Sequence, residues 1–308
     1  MSLYEALAVF VVAAAGVSSF GYLLVRGAEA LSDKLGLGRF LIGFVLLSVL
    51  TSMPEMTVAV FSAVQGVVEL SVGDILGSNI VNICLVVGLS SLFITKIISV
   101  GMNLLKDLAA VLYFSSLIPI LLVFVPQVFI ETGVLLILVF VSYAYITYRT
   151  SKTLNTKPHI PGYGYPAILS AVVIGGLGVI VSAMVLVSAA RSVVEYTGLS
   201  ELEVGAKMVA VSTSAPELVT VLASMRRREY EMALGNAIGS NLTNITLILG
   251  SLLLVSRTTL VFQQHTFTVL FLLLATSTFW FFVSRGTITR VSGVILLVLY
   301  LFFLLLAA

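Results

Sequence analysis

Two short polar motifs hold the residues of this sequence that could bind an ion. The first comprises Thr51-Ser-Met-Pro-Glu55 and Gly77-Ser-Asn-Ile-Val-Asn-Ile83, and the second comprises Thr213-Ser-Ala-Pro-Glu217 and Gly239-Ser-Asn-Leu-Thr-Asn-Ile245. Each residue lies 162 positions before its counterpart, and the surrounding 38 columns contain 14 identities without a gap. Most of these identities are polar residues, Gly or Pro, whereas unrelated apolar helices would share Leu and Val. We therefore interpret the motifs as an internal repeat.

Three acidic residues, Glu55, Asp74 and Glu217, lie inside apolar segments rather than at their ends or in loops. An intramembrane carboxylate is costly and by default marks an ion pathway. No Lys or Arg lies at a matching depth, so the partner of Glu55 and Glu217 is expected to be a cation or protons. The alternative is a neutral glutamic acid bonded to a neighbouring helix, which would have to occur twice.

A proline precedes each glutamate of the two motifs. Proline lacks a backbone donor and disrupts the preceding turn, so Pro54 and Pro216 are predicted to break the second and seventh helices. Carbonyl oxygens near 48–51 and 210–213 would lose their partners, which is tolerated at membrane depth only beside protein or a wet cavity. Four hydroxyls, which could instead bond back to their own helices, would add oxygen ligands: Thr51, Ser52, Thr213 and Ser214.

Further oxygens occur at helical spacing in the third and eighth helices. Ser78 and Asn82 are four residues apart and share a helix face, as do Ser240 and Asn244. For the neighbouring Asn79 and Asn241 we expect a structural role, with their side chains bonded to the broken backbone of the adjacent helix. Glycines at the same spacing would allow close helix contact: Gly73, Gly77, Gly235 and Gly239.

The available ligands favour a hard cation. Two glutamates balance the charge of one Ca²⁺, which takes about six to eight oxygen ligands and tolerates irregular geometry. His159 lies in a linker and His265 near a span end, so no site for a softer metal is expected. The single cysteine, Cys84, excludes a disulfide framework. Ca²⁺, Na⁺ and protons remain as occupants, and no cofactor is predicted.

The composition requires a lipid bilayer as the surrounding medium. Of the 308 residues, 59% are hydrophobic and 10% are charged, against about 25% charged in soluble domains. The net charge of +2 gives no indication of nucleic-acid binding. The first apolar stretch lacks a charged n-region and a cleavage site, which favours a span over a signal peptide. About 20 apolar residues cross a bilayer, and ten such segments can be drawn: 4–28, 39–65, 71–95, 105–125, 128–147, 165–190, 201–225, 231–255, 262–284 and 289–307.

The distribution of Lys and Arg predicts the orientation, since these residues favour cytoplasmic loops. With the N-terminus outside, only Arg191, Lys207 and Arg257 face outward and the other 13 basic residues face the cytoplasm. The protein is then expected in the plasma membrane, with both termini on the outer side. The predicted fold class is an all-α polytopic membrane protein of ten transmembrane helices. Two inverted five-helix repeats, 1–147 and 165–308, are joined by a cytoplasmic linker, 148–164.

At these motifs the sequence resembles the cation/Ca²⁺ exchanger superfamily, whose two repeats read roughly G-T-S-x-P-E and G-S-N-x-x-N/D. It is most similar to the prokaryotic sodium/calcium exchangers of ten helices. The resemblance implies that Glu55 and Glu217 are the central Ca²⁺ ligands and that the first and sixth helices slide during alternating access. It also implies that calcium and sodium sites are completed by Thr51, Ser52, Thr213, Ser214, Ser78, Ser240, the backbone oxygens of Ser48 and Ala210, and the central Asn82 and Asn244.

The sequence departs from that pattern at three places. Leu50 and Ser212 replace the glycine before each Thr-Ser pair. Asn244 stands where some exchangers have an aspartate, which leaves two acids in the site rather than three. Asp74, whose counterpart is Asn236, lies one turn outward of Ser78. We expect Asp74 to line an outer vestibule, or alternatively to bond near a helix start.

The predicted function is secondary antiport of Ca²⁺ against Na⁺, since shared ligands make the two bound states mutually exclusive. An H⁺/Ca²⁺ exchanger using the same glutamates is the alternative, although the cation/proton branch usually reads G-N-x-x-E at the first motif. A cation channel also uses broken helices and carboxylates, but an inverted repeat argues against it. No HExxH motif occurs, so an enzyme is not expected. The partners are lipid and inorganic cations, and the oligomeric state is left open, with a monomer sufficient.

Overall fold

The first half of the chain is helical apart from one short strand. The computed structural model describes residues 2–34, 47–93, 98–99, 103–124, 130–151, 164–226, 228, 230–256 and 262–306. Apolar residues dominate each segment, and a backbone in lipid satisfies its own hydrogen bonds as a helix. The elements of this half are α1 (Leu3–Lys34), α2 (Leu47–Thr51), α3 (Met53–Gln65), α4 (Val68–Leu92), β1 (Ile98–Ser99), α5 (Asn103–Ser115), α6 (Leu117–Val123) and α7 (Ile130–Ser151).

The described residues of the second half also form helices and one short strand. Its bounds are α8 (Tyr165–Thr197), α9 (Glu201–Thr213), α10 (Ala215–Arg226), α11 (Tyr230–Thr243, continued by Asn244–Ile248 and Leu249–Val255), a 3₁₀ turn (Phe262–His265), α12 (Thr266–Ser284), β2 (Thr287–Ile288) and α13 (Arg290–Leu306). The strands form one antiparallel pair, with Ile98 opposite Ile288 and Ser99 opposite Thr287. This short ladder is a small exception to the predicted all-α class within the described residues.

The chain is a multi-pass membrane protein. In the described ranges, six helices are long and apolar enough to cross a bilayer, and the pair α9–α10, bent by 43°, supplies a seventh. Two shorter apolar helices cover Ile130–Ile146 and Arg290–Leu306. Helices occupy the described parts of all ten predicted segments, and the count of ten spans stays a prediction. Helices α1 and α8 continue beyond the first and sixth predicted segments, to Lys34 and Thr197.

The outward faces of several helices are apolar, as lipid contact requires. On α1, Val12 is 72% exposed, and on α8, Val181 is 62% exposed. Leu305 near the end of α13 is 75% exposed. In water such a surface would drive aggregation, whereas in a bilayer it costs nothing because the surrounding acyl chains are equally apolar.

Helices α1 and α8 pack against each other in an antiparallel pair through small residues. A Cβ at Gly16 would lie 2.5 Å from the Ser182 hydroxyl, and a Cβ at Gly178 would lie 2.2 Å from the Phe20 ring. Further along, a Cβ at Gly175 would lie 2.6 Å from the backbone nitrogen of Leu24. Glycine is needed at these positions because any side chain would separate the two backbones.

Two further glycine contacts connect the halves and repeat each other. A Cβ at Gly293 of α13 would lie 2.7 Å from the carbonyl of Gly88 in α4. A Cβ at Gly250 of α11 would lie 2.9 Å from the carbonyl of Gly133 in α7. Gly88 and Gly250 are counterparts in the sequence repeat. Each half therefore packs its last helix against the motif helix of the other half.

Three helices contain widened π turns, in which hydrogen bonds run from residue i to i+5. They cover Val81–Val87 in α4, Gly205–Val209 in α9 and Asn244–Ile248 in α11. Two of them include the counterparts Asn82 and Asn244. Such turns occur mostly at functional sites, and the repeat places them at equivalent points in the two motif helices.

Of the two histidines, His265 lies outside the motif region, as predicted from its position near a span end. It directly precedes α12, is 1% exposed and lies 2.6 Å from a Glu69 carboxylate oxygen at the start of α4. The contact ties α12 to α4 away from the two motifs. His159 lies outside the described residues.

Candidate cation site

Both proline-containing motifs interrupt a helix. The interruptions fall at Ser52 and Ser214, each two residues before the proline. Pro54 and Pro216 then occupy the first turns of α3 and α10, where a missing backbone N–H is tolerated. The glutamates, one residue further on, therefore lie in the first turn of the second helix of each pair, where the helix dipole favours negative charge.

The carbonyls of Ser48 and Ala210 are not freed by the prolines, and this part of the prediction is wrong. The Ser48 carbonyl accepts the backbone N–H of Ser52 at 3.1 Å, and the Ala210 carbonyl accepts that of Ser214 at 3.0 Å. A proline removes the bond to the carbonyl four residues earlier, which is that of Leu50 or Ser212. These two positions are also where the sequence departs from the family's glycine.

Helix α1 covers both interruptions. A Cβ at Gly21 would lie 2.7 Å from Cγ of Pro216 and 3.5 Å from Cγ of Pro54. One turn earlier, the Ser18 hydroxyl donates to the Ser212 carbonyl at 3.2 Å. One of the two carbonyls that the prolines release is thus bonded by α1. Sequence reasoning did not assign Ser18 or Gly21, because neither belongs to a motif.

The predicted site residues are all buried. Each of their side chains is at most 1% exposed, and they come from α2, α3 and α4 of one half and from α9, α10 and α11 of the other. The set comprises Ser48, Thr51, Ser52, Glu55, Ser78, Asn82, Ala210, Thr213, Ser214, Glu217, Ser240 and Asn244. The structure therefore brings the two motifs together in the protein interior, as predicted.

Two hydroxyl pairs join the halves in a symmetric arrangement. The Thr51 and Ser240 hydroxyl oxygens are 3.0 Å apart, and those of their counterparts Thr213 and Ser78 are 3.3 Å apart. Each threonine of one half thus meets the motif serine of the other half. We call these contacts the Thr51–Ser240 crossing and the Thr213–Ser78 crossing. Both threonines also reach carbonyls of their own helices, Ser48 for Thr51 and Ala210 for Thr213.

The two glutamate carboxylates lie beside these crossings. Hydroxyls of Thr213, Ser78 and Ser214 face the Glu55 carboxylate, and Ser214 donates to it at 3.4 Å. Glu217 is faced in the same way by the hydroxyls of Thr51 and Ser240. However, neither carboxylate oxygen of Glu217, nor Oε2 of Glu55, has a hydrogen-bond partner within the described residues. Leaving buried carboxylate oxygens unpaired is costly, so these oxygens are expected to pair with a proton or a cation.

The described residues supply no positive charge to this cluster. Among the described residues, every buried charged side chain is acidic. Glu55 repels both Glu217 and Asp74. No three carboxylate, histidine or cysteine side chains of the described ranges converge on one point as a ready-made chelate. The coordination shell of a cation held by the glutamates would thus have to be completed by hydroxyl, amide and carbonyl oxygens.

The central asparagines have unused polar groups as well. Neither side-chain polar atom of Asn82 or of Asn244 has a partner in the part of the chain that the structure describes. Both residues lie in π turns. By contrast, Asn241 donates its side-chain N–H to the backbone carbonyl of Asn79 at 3.2 Å. That bond joins the motif helices α4 and α11 rather than reaching a broken helix, which corrects the predicted partner.

Asp74 does not line an open vestibule in this structure, and its contacts agree with the alternative of a bonded carboxylate. It is 0% exposed, and it accepts hydrogen bonds from the Thr213 hydroxyl at 2.9 Å and the Ser78 hydroxyl at 3.3 Å. Its counterpart Asn236 accepts from the Thr51 hydroxyl at 3.4 Å. Depth along α4 alone left both alternatives open, whereas α9 crosses α4 closely at Gly73 and Gly77 and brings Thr213 alongside.

The chain matches the family model described as sodium/calcium exchanger protein. The match covers residues 5–149 and 168–308, in two stretches on either side of the predicted linker. The chain is 30% identical over 287 residues to an uncharacterised membrane protein of Methanocaldococcus jannaschii, covering 90% of this chain and 89% of that protein. It is 26% identical over 323 residues to the sodium/calcium exchanger MaX1 of Methanosarcina acetivorans, covering 91% and 92% of the two chains.

A solved structure has a similar fold over the full length. The sodium-calcium exchanger NCX_Mj, soaked with 10 mM Na⁺ and 10 mM Sr²⁺, superposes with a TM-score of 0.72 and 25% sequence identity. The superposition covers 100% of this chain and 99% of that chain. The similarity therefore extends across both motifs and the helices that hold them.

Proposed function

Because the chain belongs to the sodium/calcium exchanger family, we propose that it is a secondary antiporter that exchanges Ca²⁺ for Na⁺ across a cell membrane. The family consists of transporters, and the chain is not an enzyme. The observation that carries the proposal is the symmetric cluster around Glu55 and Glu217, in which buried carboxylate and amide groups have no partner among the described residues. A dehydrated cation would pair with the unpaired oxygens of this cluster.

The ligands assign Ca²⁺ to the centre of the cluster. Glu55 and Glu217 together balance its two charges, and Ca²⁺ accepts about six to eight oxygens in irregular geometry. The hydroxyls of Thr51, Thr213, Ser78 and Ser240, and the amide oxygens of Asn82 and Asn244, are the further ligands. Ser52, Ser214 and the backbone oxygens of Ser48 and Ala210 complete the set for flanking Na⁺ ions. Both ions are transported substrates, and no resident cofactor is proposed.

Shared ligands explain why the two ions exchange. The Thr51–Ser240 and Thr213–Ser78 crossings each combine a residue of one half with a residue of the other. Ions bound at the crossings use oxygens that face the central carboxylates, so Na⁺ and Ca²⁺ compete for the same groups. Relative motion of the two halves would present these groups to one side of the membrane and then to the other.

The predicted topology supplies the remaining part of the proposal. Repeats 1–147 and 165–308 have opposite orientations, the linker 148–164 is cytoplasmic, and both termini are outside the plasma membrane. The antiparallel packing of α1 against α8 supports this arrangement, because the first helices of two inverted repeats run in opposite directions. A site shared by inverted halves meets each side of the membrane through equivalent helices.

The test is uptake of radioactive Ca²⁺ into proteoliposomes loaded with Na⁺, with the pH clamped on both sides. We expect uptake that requires an outward Na⁺ gradient, saturates with Ca²⁺ and persists when the pH gradient is abolished. Uptake that ignores Na⁺ and follows an imposed pH gradient would assign the protein to H⁺/Ca²⁺ exchange. Single-channel currents in planar bilayers, without coupling to either gradient, would assign it to a channel.

A matched pair of variants separates the site from general effects of substitution. Glu217→Gln removes the charge of a fully buried carboxylate, and Glu195→Gln makes the same change at an exposed residue of α8 that pairs with Arg191. We expect Na⁺-driven uptake to be lost in the first variant and retained in the second. Equal uptake by both variants would refute the assignment of Glu217 to the site.

A further inference from the structure

The two crossings differ in one acidic residue that the proposed antiport has not used. Asp74 lies in α4, is 0% exposed and accepts hydrogen bonds through Oδ1 from both members of the Thr213–Ser78 crossing. Its second oxygen, Oδ2, has no partner within the described residues. This crossing therefore contains an unpaired carboxylate oxygen in addition to two hydroxyl oxygens.

The Thr51–Ser240 crossing has an amide in the same place. Asn236 lies 162 residues after Asp74 and accepts the Thr51 hydroxyl at 3.4 Å through its oxygen. The group that remains unpaired in the described structure is its amide nitrogen. That nitrogen is a hydrogen-bond donor and cannot ligate a cation. The unpaired group is therefore a carboxylate oxygen of Asp74 at the Thr213–Ser78 crossing and an amide nitrogen of Asn236 at the Thr51–Ser240 crossing.

This difference has a large electrostatic consequence, because both positions are buried. The interaction between charges grows as the effective dielectric falls, so one charge counts for more here than at the surface. Asp74 already repels the Glu55 carboxylate, and no buried Lys or Arg offsets it among the described residues. When Ca²⁺ is absent, the carboxylate of Asp74 adds one negative charge to those of Glu55 and Glu217. A monovalent cation bound at this crossing would balance that charge.

We propose that Asp74 makes the Thr213–Ser78 crossing a charged subsite for one small monovalent cation such as Na⁺, whereas the Thr51–Ser240 crossing remains a neutral and weaker one. The subsite would comprise the Asp74 carboxylate, the hydroxyls of Thr213 and Ser78 and the near side of Glu55. The two flanking positions of the proposed antiporter are then unequal in Na⁺ affinity. This inference rests on the proposed function for its biological role but not for its test.

The test is equilibrium binding of radioactive Na⁺ to the purified protein in the absence of Ca²⁺. Asp74→Asn keeps an acceptor for both hydroxyls and removes only the charge, so we expect Na⁺ affinity to fall about tenfold, since losing a charged ligand costs roughly 1.5 kcal/mol or more. Asp107→Asn, at an exposed residue of α5, is the control and should bind Na⁺ as the wild type does.

The reciprocal variant protects the test against a folding defect. Asn236→Asp adds the same charge to the other crossing and should raise Na⁺ affinity, and the double variant Asp74→Asn/Asn236→Asp should return it close to the wild-type value. Unchanged Na⁺ binding in both single variants would overturn the inference and leave Asp74 as a hydrogen-bond acceptor only. Failure of Ca²⁺ transport, with the expected Na⁺ binding, would instead overturn the proposed function.

Discussion

At the scale of single residues, the site is defined by pairs that cross between the halves. Thr51 meets Ser240 and Thr213 meets Ser78, while Ser214 of one half donates to Glu55 of the other. Neither half on its own contains both members of a crossing. Under the proposed function the same hydroxyls bind the ions and join the halves, so substitutions there should alter ion binding.

Neutralising either central carboxylate should weaken Ca²⁺ binding. Glu55→Gln and Glu217→Gln each remove one of two charges while keeping the side-chain shape. The loss of a charge-assisted contact is worth roughly 1.5–3 kcal/mol, which lowers Ca²⁺ affinity at least about tenfold. Calorimetric titration of the purified variants with Ca²⁺ measures this affinity.

The symmetry of the site makes this result sharper. The two variants should behave alike, because the hydroxyl surroundings of Glu55 and Glu217 repeat each other. Wild-type affinity in either variant would contradict the assignment of both glutamates as ligands of one ion.

Removing the hydroxyls of the two crossings should weaken Na⁺ binding more than it lowers the stability of the protein. Thr51→Val and Thr213→Val preserve the volume of each side chain but remove its oxygen. We expect a severalfold higher Na⁺ concentration for half-maximal exchange, because each variant removes one hydroxyl oxygen from a proposed Na⁺ site. The Na⁺ dependence of Ca²⁺ efflux from proteoliposomes is the measurement.

A remote threonine provides the comparison for these variants. Thr276 is buried, and its hydroxyl bonds Ser116 and carbonyls of its own helix. Thr276→Val should leave the Na⁺ dependence unchanged. Equal effects at Thr276 and at the crossings would mean that any buried threonine perturbs transport, and the site assignment would lose its support.

The sequence predicted which polar residues the structure brings together but not how they pair. The repeated motifs identified Glu55 and Glu217, because inherited polar residues stand out in an apolar chain. The partners of Thr51 and Thr213 depend on how distant helices cross, which residue spacing does not encode. For the same reason Asp74 was expected either at a vestibule or bonded near a helix start, and its bond to Thr213 could not be foreseen.

At the scale of helices, close backbone approach holds the motif helices in register. A Cβ at Gly77 would lie 2.4 Å from the Ala206 carbonyl, and a Cβ at Gly205 would lie 2.2 Å from the Leu70 carbonyl. Both obstacles are backbone atoms, which cannot rotate away. The contact between α4 and α9 thus sets the distance across the Thr213–Ser78 crossing.

Alanine at these glycines should therefore destabilise the protein. Overpacking a tight contact costs about 1–3 kcal/mol, so Gly77→Ala and Gly205→Ala should lower the midpoint of thermal unfolding in detergent. Gly176→Ala is the control, since a Cβ there meets nothing within 4 Å. A midpoint for Gly205→Ala as high as that of the control would show that this contact is not needed.

The helices themselves were largely predictable, and their irregularities were not. Runs of apolar residues located the segments, and Pro54 and Pro216 indicated where a helix would be interrupted. The interruptions fall at Ser52 and Ser214, because a proline is accommodated in the first turn of the following helix. The π turns that contain Asn82 and Asn244 have no sequence signal, since they arise from tertiary packing.

At the scale of the molecule, the predicted orientation can be tested with the single native cysteine. Cys84 is buried, so the wild type should not react with a membrane-impermeant maleimide. Leu199→Cys and Arg228→Cys place thiols at exposed positions that the topology assigns to opposite sides. In intact cells we expect labelling of Leu199→Cys only, and in inverted vesicles labelling of Arg228→Cys only.

Labelling of both thiols from the same side would contradict the inverted arrangement. A reversed pattern would keep the arrangement but place both termini in the cytoplasm. These outcomes matter because the exchange of roles between the halves depends on their opposite orientation.

The proposed antiport requires that a cation binds between Glu55 and Glu217, where both halves contribute hydroxyls. Crystals soaked with Sr²⁺, an anomalous scatterer that can substitute for Ca²⁺, test it most directly. We predict an anomalous peak in contact with both carboxylates and with the Thr51 and Thr213 hydroxyls, which is displaced by excess Na⁺. A bound Sr²⁺ elsewhere, with these carboxylates left unoccupied in protein that still transports Ca²⁺, would contradict the claim.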